Sequence, residues 1–216
     1  MTDPGAERML EAVAAGDTAE VERLLESDPA LAATRGPDGV SAILLARYRG
    51  HAWIAERLAD AAAPLDLFEA AALGHVSRLA EVLEADPEAM ASTGADGFTA
   101  LHLAAYFGQL EATAVLLGRG AGPDVVAANP SGVRPLHSAA AGGHAAIVGL
   151  LLERGADPDA RQHGGYVPLH SSAARGDVVS VRLLLDHGAD PTLRTDEGRL
   201  PADLAADEQL AGLLRA

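Results

Sequence analysis

Residues 131–163 read SGVRPLHSAAAGGHAAIVGLLLERGADPDARQH, and the fold follows from how this stretch is punctuated. Gly132 suits a tight turn, and Pro135 stands where a first helical turn tolerates a missing N–H, so a short helix is predicted from about Pro135. It runs through Leu136-His137-Ser138-Ala139-Ala140, whose small side chains let a neighbour approach closely, and Gly142-Gly143 stop it. From His144 a second helix carries Ile147, Leu150 and Leu151 on one face and Val148 and Leu152 on the next. An apolar arc this wide predicts a helix sandwiched between neighbours. Gly155-Ala156-Asp157-Pro158 closes it and sends the chain out extended. Such a helix–turn–helix with a projecting loop cannot bury its own apolar faces and needs copies stacked beside it.

The copies are present. The glycine between the two helices recurs as Gly16, Gly50, Gly74, Gly108, Gly143 and Gly176. Around it stand Thr99-Ala100-Leu101-His102-Leu103-Ala104-Ala105, Arg134-Pro135-Leu136-His137 and Val167-Pro168-Leu169-His170, with the closures Gly155-Ala156-Asp157 and Gly188-Ala189-Asp190. In these segments the chain resembles the ankyrin-repeat family of bacterial, free-standing type, over about residues 7–214. The resemblance implies an all-α solenoid of helix–turn–helix units with projecting hairpin loops. We expect a single domain over 1–216, with repeats at about 4–35, 36–66, 67–95, 96–130, 131–163 and 164–195 and a terminal cap at 196–216. The first helix is expected to start near Pro4 and end at Gly16, with Thr18 to Ser27 as its partner. The third repeat mirrors the first, including the Asp28-Pro29 and Asp86-Pro87 endings, so the first two repeats and the next two read as a duplicated pair. Gly50 and Gly74 are too close in sequence for Asp60 to Asp66 to form a hairpin, which predicts a gap in the row of fingers. The cap is expected to have a short second helix.

Composition bounds the class. The chain is 49% apolar but only 3% aromatic, so its core is built from Ala, Leu and Val. It has no cysteine, which excludes disulfides, thiol catalysis and cysteine-ligated zinc. All 16 basic residues are arginine, which excludes lysine Schiff bases and the P-loop lysine. The scarcity of Lys, Asn and Ile beside abundant Ala, Gly, Arg and Pro reads as a GC-rich, bacterial coding bias. The opening MTDPGAERMLEAV has no apolar signal core, and no stretch is long and apolar enough for a membrane span, so a cytoplasmic location is expected. A net charge of −15 argues against nucleic acid or an anionic membrane as partner. The acids concentrate towards both ends, which reads either as the polar outer faces that terminal repeats require or as attraction to a basic partner.

His102, His137 and His170 invite a metal or catalytic reading. Equivalent positions on stacked helices are offset by about 8–10 Å, whereas zinc ligands each place a nitrogen about 2.0 Å from the ion, so the three cannot share one metal. The resemblance implies that they hydrogen-bond backbone between repeats. His51, His75 and His144 follow inter-helix glycines and read as turn residues. His137-Ser138 and His170-Ser171 are adjacent on a helix and point apart, so neither makes a nucleophile–base pair. With no nucleophile, phosphate-loop or metal motif, we expect no enzymatic activity and no cofactor.

The resemblance implies a binding face formed by the hairpin tips and the ends of the first helices. The tips are Val40, Phe98, Val133, Tyr166 and Arg199, and the helix ends include Tyr48, Arg49, Leu73, Tyr106, Phe107 and Arg175. Of the seven aromatic residues, Tyr48, Phe98, Tyr106, Phe107 and Tyr166 fall on these positions, and aromatics and arginine are the side chains enriched in interface hot spots. The candidate protein-binding residues are therefore Tyr48, Arg49, Leu73, Phe98, Tyr106, Phe107, Tyr166, Arg175 and Arg199. Trp53 is expected to pack against the shortened junction and Phe68 to join the core. The expected function is a monomeric, non-catalytic module that captures a protein partner on its concave face. The alternative is an inhibitor or immunity-type protein that neutralises a basic toxin or enzyme.

Overall fold

In the computed structural model residues 3–62 and 64–215 are described. Met1, Thr2, Ala63 and Ala216 lie outside the described residues, and with them the ends of the expected domain, one residue of the shortened junction in the repeat over 36–66, and the last residue of the cap. Among the described residues fourteen α-helices follow in pairs: α1 (Pro4–Ala15) with α2 (Thr18–Ser27), α3 (Ala42–Tyr48) with α4 (Ala52–Ala61), α5 (Leu67–Leu73) with α6 (Val76–Ala85), and α7 (Ala100–Tyr106) with α8 (Leu110–Gly118). Then come α9 (Pro135–Gly142) with α10 (Ala145–Glu153), α11 (Pro168–Arg175) with α12 (Val178–Asp186), and α13 (Pro201–Leu204) with α14 (Glu208–Arg215). No strand occurs among the described residues, where one isolated bridge joins Arg35 to Ser41. The odd-numbered helices pack successively from α1 to α13, and the even-numbered ones form a second layer behind them. The fold is an all-α solenoid.

Local chemistry sets the helix ends. Asp3 caps α1 by accepting from the Gly5 N–H, with Pro4 at the first helical position, and Gly16 ends the helix in the left-handed region. Asp28 and Asp86 each cap a short 3-10 turn, Pro29–Ala33 and Pro87–Ala91. Most inter-helix glycines are needed twice over, whereas Gly50, with open space beside it, is needed only for its positive φ. Gly108 has φ +79°, and a Cβ there would also meet Cε1 of His144 at 2.5 Å. The His144 Nε2–H donates to the Tyr106 carbonyl just before that glycine, at 3.0 Å. The same covering of one repeat's glycine by the next repeat's side chain recurs at Gly16 under His51 and Gly143 under Arg175. His51 and His144 are thus stacking contacts between repeats as well as turn residues.

Buried alanines of the odd-numbered helices, among them Ala46, Ala70, Ala104 and Ala139, let these helices approach one another, and Ile54, Leu79, Leu116, Ile147 and Val181 fill the space between the layers. Leu150, expected on the buried face of α10, is only partly buried, while Val148 and Leu152 are in the core. In the terminal pair α13 has 4 residues and α14 has 8. Among the described residues the cap shortens both helices, since α14 is also shorter than the 9 or 10 residues of the other even-numbered helices, and Ala206 takes the place of a covering side chain over Gly176.

Five fingers project between the pairs, at residues 36–40, 94–98, 129–133, 162–166 and 195–199. Turn bonds close them, such as Gly36 N–H to Val40 O at 2.8 Å and Gly94 N–H to Phe98 O at 2.8 Å. Successive fingers are knitted together by Ala128 N–H to Gly97 O, His163 N–H to Ser131 O and Asp196 N–H to Gly164 O. The link between α4 and α5 carries no finger, yet it leaves no gap in the row. The first finger moves directly against the second, where a Cβ on Gly39 would meet Ala95 Cβ at 3.0 Å. With nothing between them, the two hairpins stand in contact. Arg35, at the base of the first finger, pairs with Asp66 at 2.8 Å and lies 3.5 Å from Glu69, and Arg78 Nε donates to Leu65 O at 2.8 Å. Trp53 does not pack against this link: it is 53% exposed, because it stands in the first turn of α4 whereas the link follows the last turn.

Candidate functional site

Closing the first two fingers together has a consequence for the helices behind them. Tyr48, the last residue of α3, reaches past α5 to α7. Its ring lies 5.3 Å from Phe107 and 6.4 Å from Tyr106, centroid to centroid, and its hydroxyl donates to Asp96 Oδ2 of the second finger at 2.6 Å. The small Ala72 of α5, fully buried beneath, allows the crossing. Arg47 makes the same journey: its guanidinium stands 4.7 Å from the Phe107 ring centre and Nη2 donates to the Phe107 carbonyl at 3.4 Å. Tyr106 and Phe107 meet edge to face at 5.1 Å.

Below these rings Leu44, Ala72 and Leu103 form a small buried cluster of their own, covered by Val40, Phe68, Phe98 and Phe107. Phe68 is therefore half-buried in this second cluster and not in the main core as expected, because α5 turns that edge towards the fingers. Tyr48 and Tyr106 stay 38% and 42% exposed. Burial and the hydrogen bond to Asp96 push the Tyr48 phenol well above its ordinary pKa, so it acts as a donor, and burial lowers the pKa of Arg47.

The other sequence candidates are spread out. Tyr166, half-buried in the fourth finger, packs against His170 at 5.5 Å and accepts from Arg199 Nη2 at 2.8 Å, and Arg199 also pairs with Glu197. Arg49 is exposed at the end of α3, and Arg175 is exposed over Gly143. Leu73 is a correction: at 7% exposure it belongs to the main core, because the last turn of α5 points it inward. Sequence reading missed Arg47, Phe68 and Asp96. Asp96 had a signal, standing one residue before the tip glycine, where a side-chain oxygen closes the turn by accepting from Phe98 N–H.

The histidines mark the wall of a cavity of about 300 Å³ on this face. Tyr48, Phe98, Leu103, Tyr106 and Val133 make its apolar side, and His102, His137, Ser138, Ala141, Gln162 and Ser171 complete it. His102 and His170 each accept a backbone N–H at Nδ1, from Thr99 and Val167, and donate through Nε2 to the carbonyls of Val133 (3.0 Å) and Arg199 (3.2 Å). His137 accepts from Arg134 N–H in the same way, but its buried Nε2–H has no hydrogen-bond acceptor. Burial lowers all three pKa values, that of His137 to about 4, so the imidazoles are neutral near pH 7. Among the described residues no three His, Asp or Glu side chains are grouped to hold a metal ion, and no helix is long and apolar enough to cross a membrane. What the arrangement offers is rings, arginines and a cavity: a surface for contact.

Comparison with protein families matches the model "Ankyrin repeats (3 copies)" to residues 67–162 and "Ankyrin repeats (many copies)" to residues 151–205. The chain belongs to the ankyrin-repeat family. Ankyrin repeats are generally modules of protein–protein interaction, and the matched span of this ankyrin-repeat chain includes Tyr106, Phe107 and the whole histidine series. A curated relative is the protein named "Probable E3 ubiquitin-protein ligase XBOS31" of Oryza sativa subsp. japonica, 46% identical over 63 residues. The matched stretch is 29% of this ankyrin-repeat chain and 14% of that relative.

Proposed function

We propose that the chain is a non-catalytic binding unit, its stacked pairs acting as one elongated domain that captures a protein partner on a concave face around Tyr48, Tyr106 and Phe107. The observation that carries this reading is the convergence of these rings from α3 and α7 with two of them left exposed, in a chain with only seven aromatic residues. Exposed, clustered aromatics beside arginine are what partners use as anchors. The cluster is held by Arg47 and Asp96 before any partner arrives, which spares the ordering cost of association. The match to the rice protein spans 14% of that protein and brings no ligase chemistry into this reading.

The test is affinity capture from cytosol with the tagged chain, followed by affinity measurement on whatever single protein is retained. Tyr106→Ala/Phe107→Ala should weaken binding by about 2 kcal/mol or more, while Trp53→Ala, on the opposite layer, should leave it unchanged. Equal binding by all three folded proteins would sink the assignment. The net charge of −15 supports a second reading, inhibition of a basic toxin or enzyme. In that case capture falls steeply with added salt and the partner loses its activity on binding.

A further inference from the structure

The cavity beside the aromatic cluster is two-sided. Tyr48, Phe98, Leu103 and Tyr106 give one wall of rings and methyls, and the Tyr48 hydroxyl is already committed to Asp96. The opposite wall carries neutral polar groups that make no hydrogen bond among the described residues: the hydroxyls of Ser138 and Ser171 and the carboxamide of Gln162. His137 stands on the same wall, 2% exposed, with Nδ1 filled by the Arg134 N–H and therefore its proton on Nε2. The carbonyls of Tyr166, counterpart of the acceptors that serve His102 and His170, and of Ala160 come near, but neither reaches hydrogen-bonding geometry with this buried donor. A buried donor without an acceptor is costly, and two equivalent histidines in the same chain avoid that cost.

No charged side chain lines the cavity, so a charged occupant would lose its hydration with no counter-charge to replace it. At about 300 Å³ the space lies at the lower limit of small-molecule pockets, the size for a single large side chain. We infer that this cavity is the seat for a tyrosine side chain of the protein partner, its ring against Tyr48, Phe98 and Tyr106 and its neutral hydroxyl among Ser138, Ser171, Gln162 and His137. Among the amino acids tyrosine joins a large rigid apolar body to one uncharged donor–acceptor tip. The inference rests on the concave-face reading and names the part of the partner that enters.

It is tested on the full chain without a partner, by chemical-shift titration with p-cresol, toluene, 4-methylphenyl phosphate and acetyl-tyrosine methylamide. We expect p-cresol to bind at one site, with shifts at the amides of Tyr106 and Ser138, and toluene to bind about tenfold more weakly, the loss of one well-made hydrogen bond. The capped tyrosine should bind at least as tightly as p-cresol. Ser138→Ala/Ser171→Ala should abolish the preference for p-cresol while toluene binding persists, and Ala141→Phe, which fills the space, should abolish both. Equal binding of p-cresol and toluene, no binding to the folded chain, or tighter binding of the phosphate would each overturn the inference. Binding of p-cresol with exclusion of the capped tyrosine would refute a protein side chain as the source. Failure here leaves the capture experiment standing, and a capture that ignores Tyr106 and Phe107 while p-cresol binds would refute the binding face and not the chemistry of the cavity.

Discussion

Acidification should weaken this fold well before its carboxylates titrate, and His137 supplies the magnitude. Buried between repeats, it has a pKa lowered from 6.5 to about 4, first of all by that burial and further by the positive charge of Arg134. As pH falls below 6.5 the unfolded chain takes up this proton first, whereas the native chain does so only near pH 4. Stability is therefore full above pH 6.5 and is lost through the window from 6.5 to about 4, at about 1.4 kcal/mol per pH unit for one proton. That makes about 3 kcal/mol for His137 alone by pH 4, a large part of the margin of a typical domain. His102 and His170 are lowered for the same reason, first of all burial, and add to the slope with the same sign. Relief of repulsion within the acidic chain acts in the opposite direction, so the sign of the result is informative. The assay is urea unfolding followed by circular dichroism at pH 7.5, 6.5, 5.5 and 4.5, on wild type and His137→Gln. Wild type should lose stability steadily below pH 6.5, and the variant should lose it with a slope smaller by about one proton. A midpoint that is constant or rising between pH 7.5 and 5.5, or equal slopes for the two proteins, would refute the reasoning.

Two glycines should respond oppositely to alanine. Gly108→Ala forces a side chain into φ +79° and into His144, at a cost of about 2 kcal/mol or more, whereas Gly149→Ala, inside α10 and 3.6 Å from Leu183 at the nearest, should stabilise by about 0.5–1 kcal/mol. Thermal melting of both variants checks the pair. Asp66→Ala removes the cap bonds to the Phe68 and Glu69 N–H groups and the ion pair with Arg35, a loss of about 2 kcal/mol, and hydrogen exchange should rise first in the finger at residues 36–40.

The parts of the fold that were legible are those decided locally. Proline at the first helical position and glycine just past the last mark α1 and α9 because a missing donor and a positive φ are properties of single residues. The row of fingers was misread at the shortened link because sequence spacing says how long a link is and not how its neighbours respond; Gly39 and Ala95 came together when no hairpin stood between them. Leu73 went wrong for a related reason. Which edge of a short helix faces out depends on the rotation of its pair, and one residue of uncertainty in a seven-residue helix such as α5 turns a side chain from surface to core. Tyr106 and Phe107 were visible as an aromatic pair at a helix end, but their meeting with Arg47 and Tyr48 across an intervening repeat is a product of the tertiary stack. His137 shows the same limit: its sequence context matches that of His170, and only the placement of the next finger separates a bonded imidazole from an unbonded one.

The most direct test of the central claim is to ask where the partner touches. A photoreactive amino acid placed at position 106 in one protein and at position 53 in another, each irradiated in the presence of the captured partner, reads out the two layers of the solenoid separately. The account predicts a covalent adduct from position 106 and none from position 53. An adduct from position 53 with none from position 106 would contradict it and move the binding surface to the layer that carries Trp53.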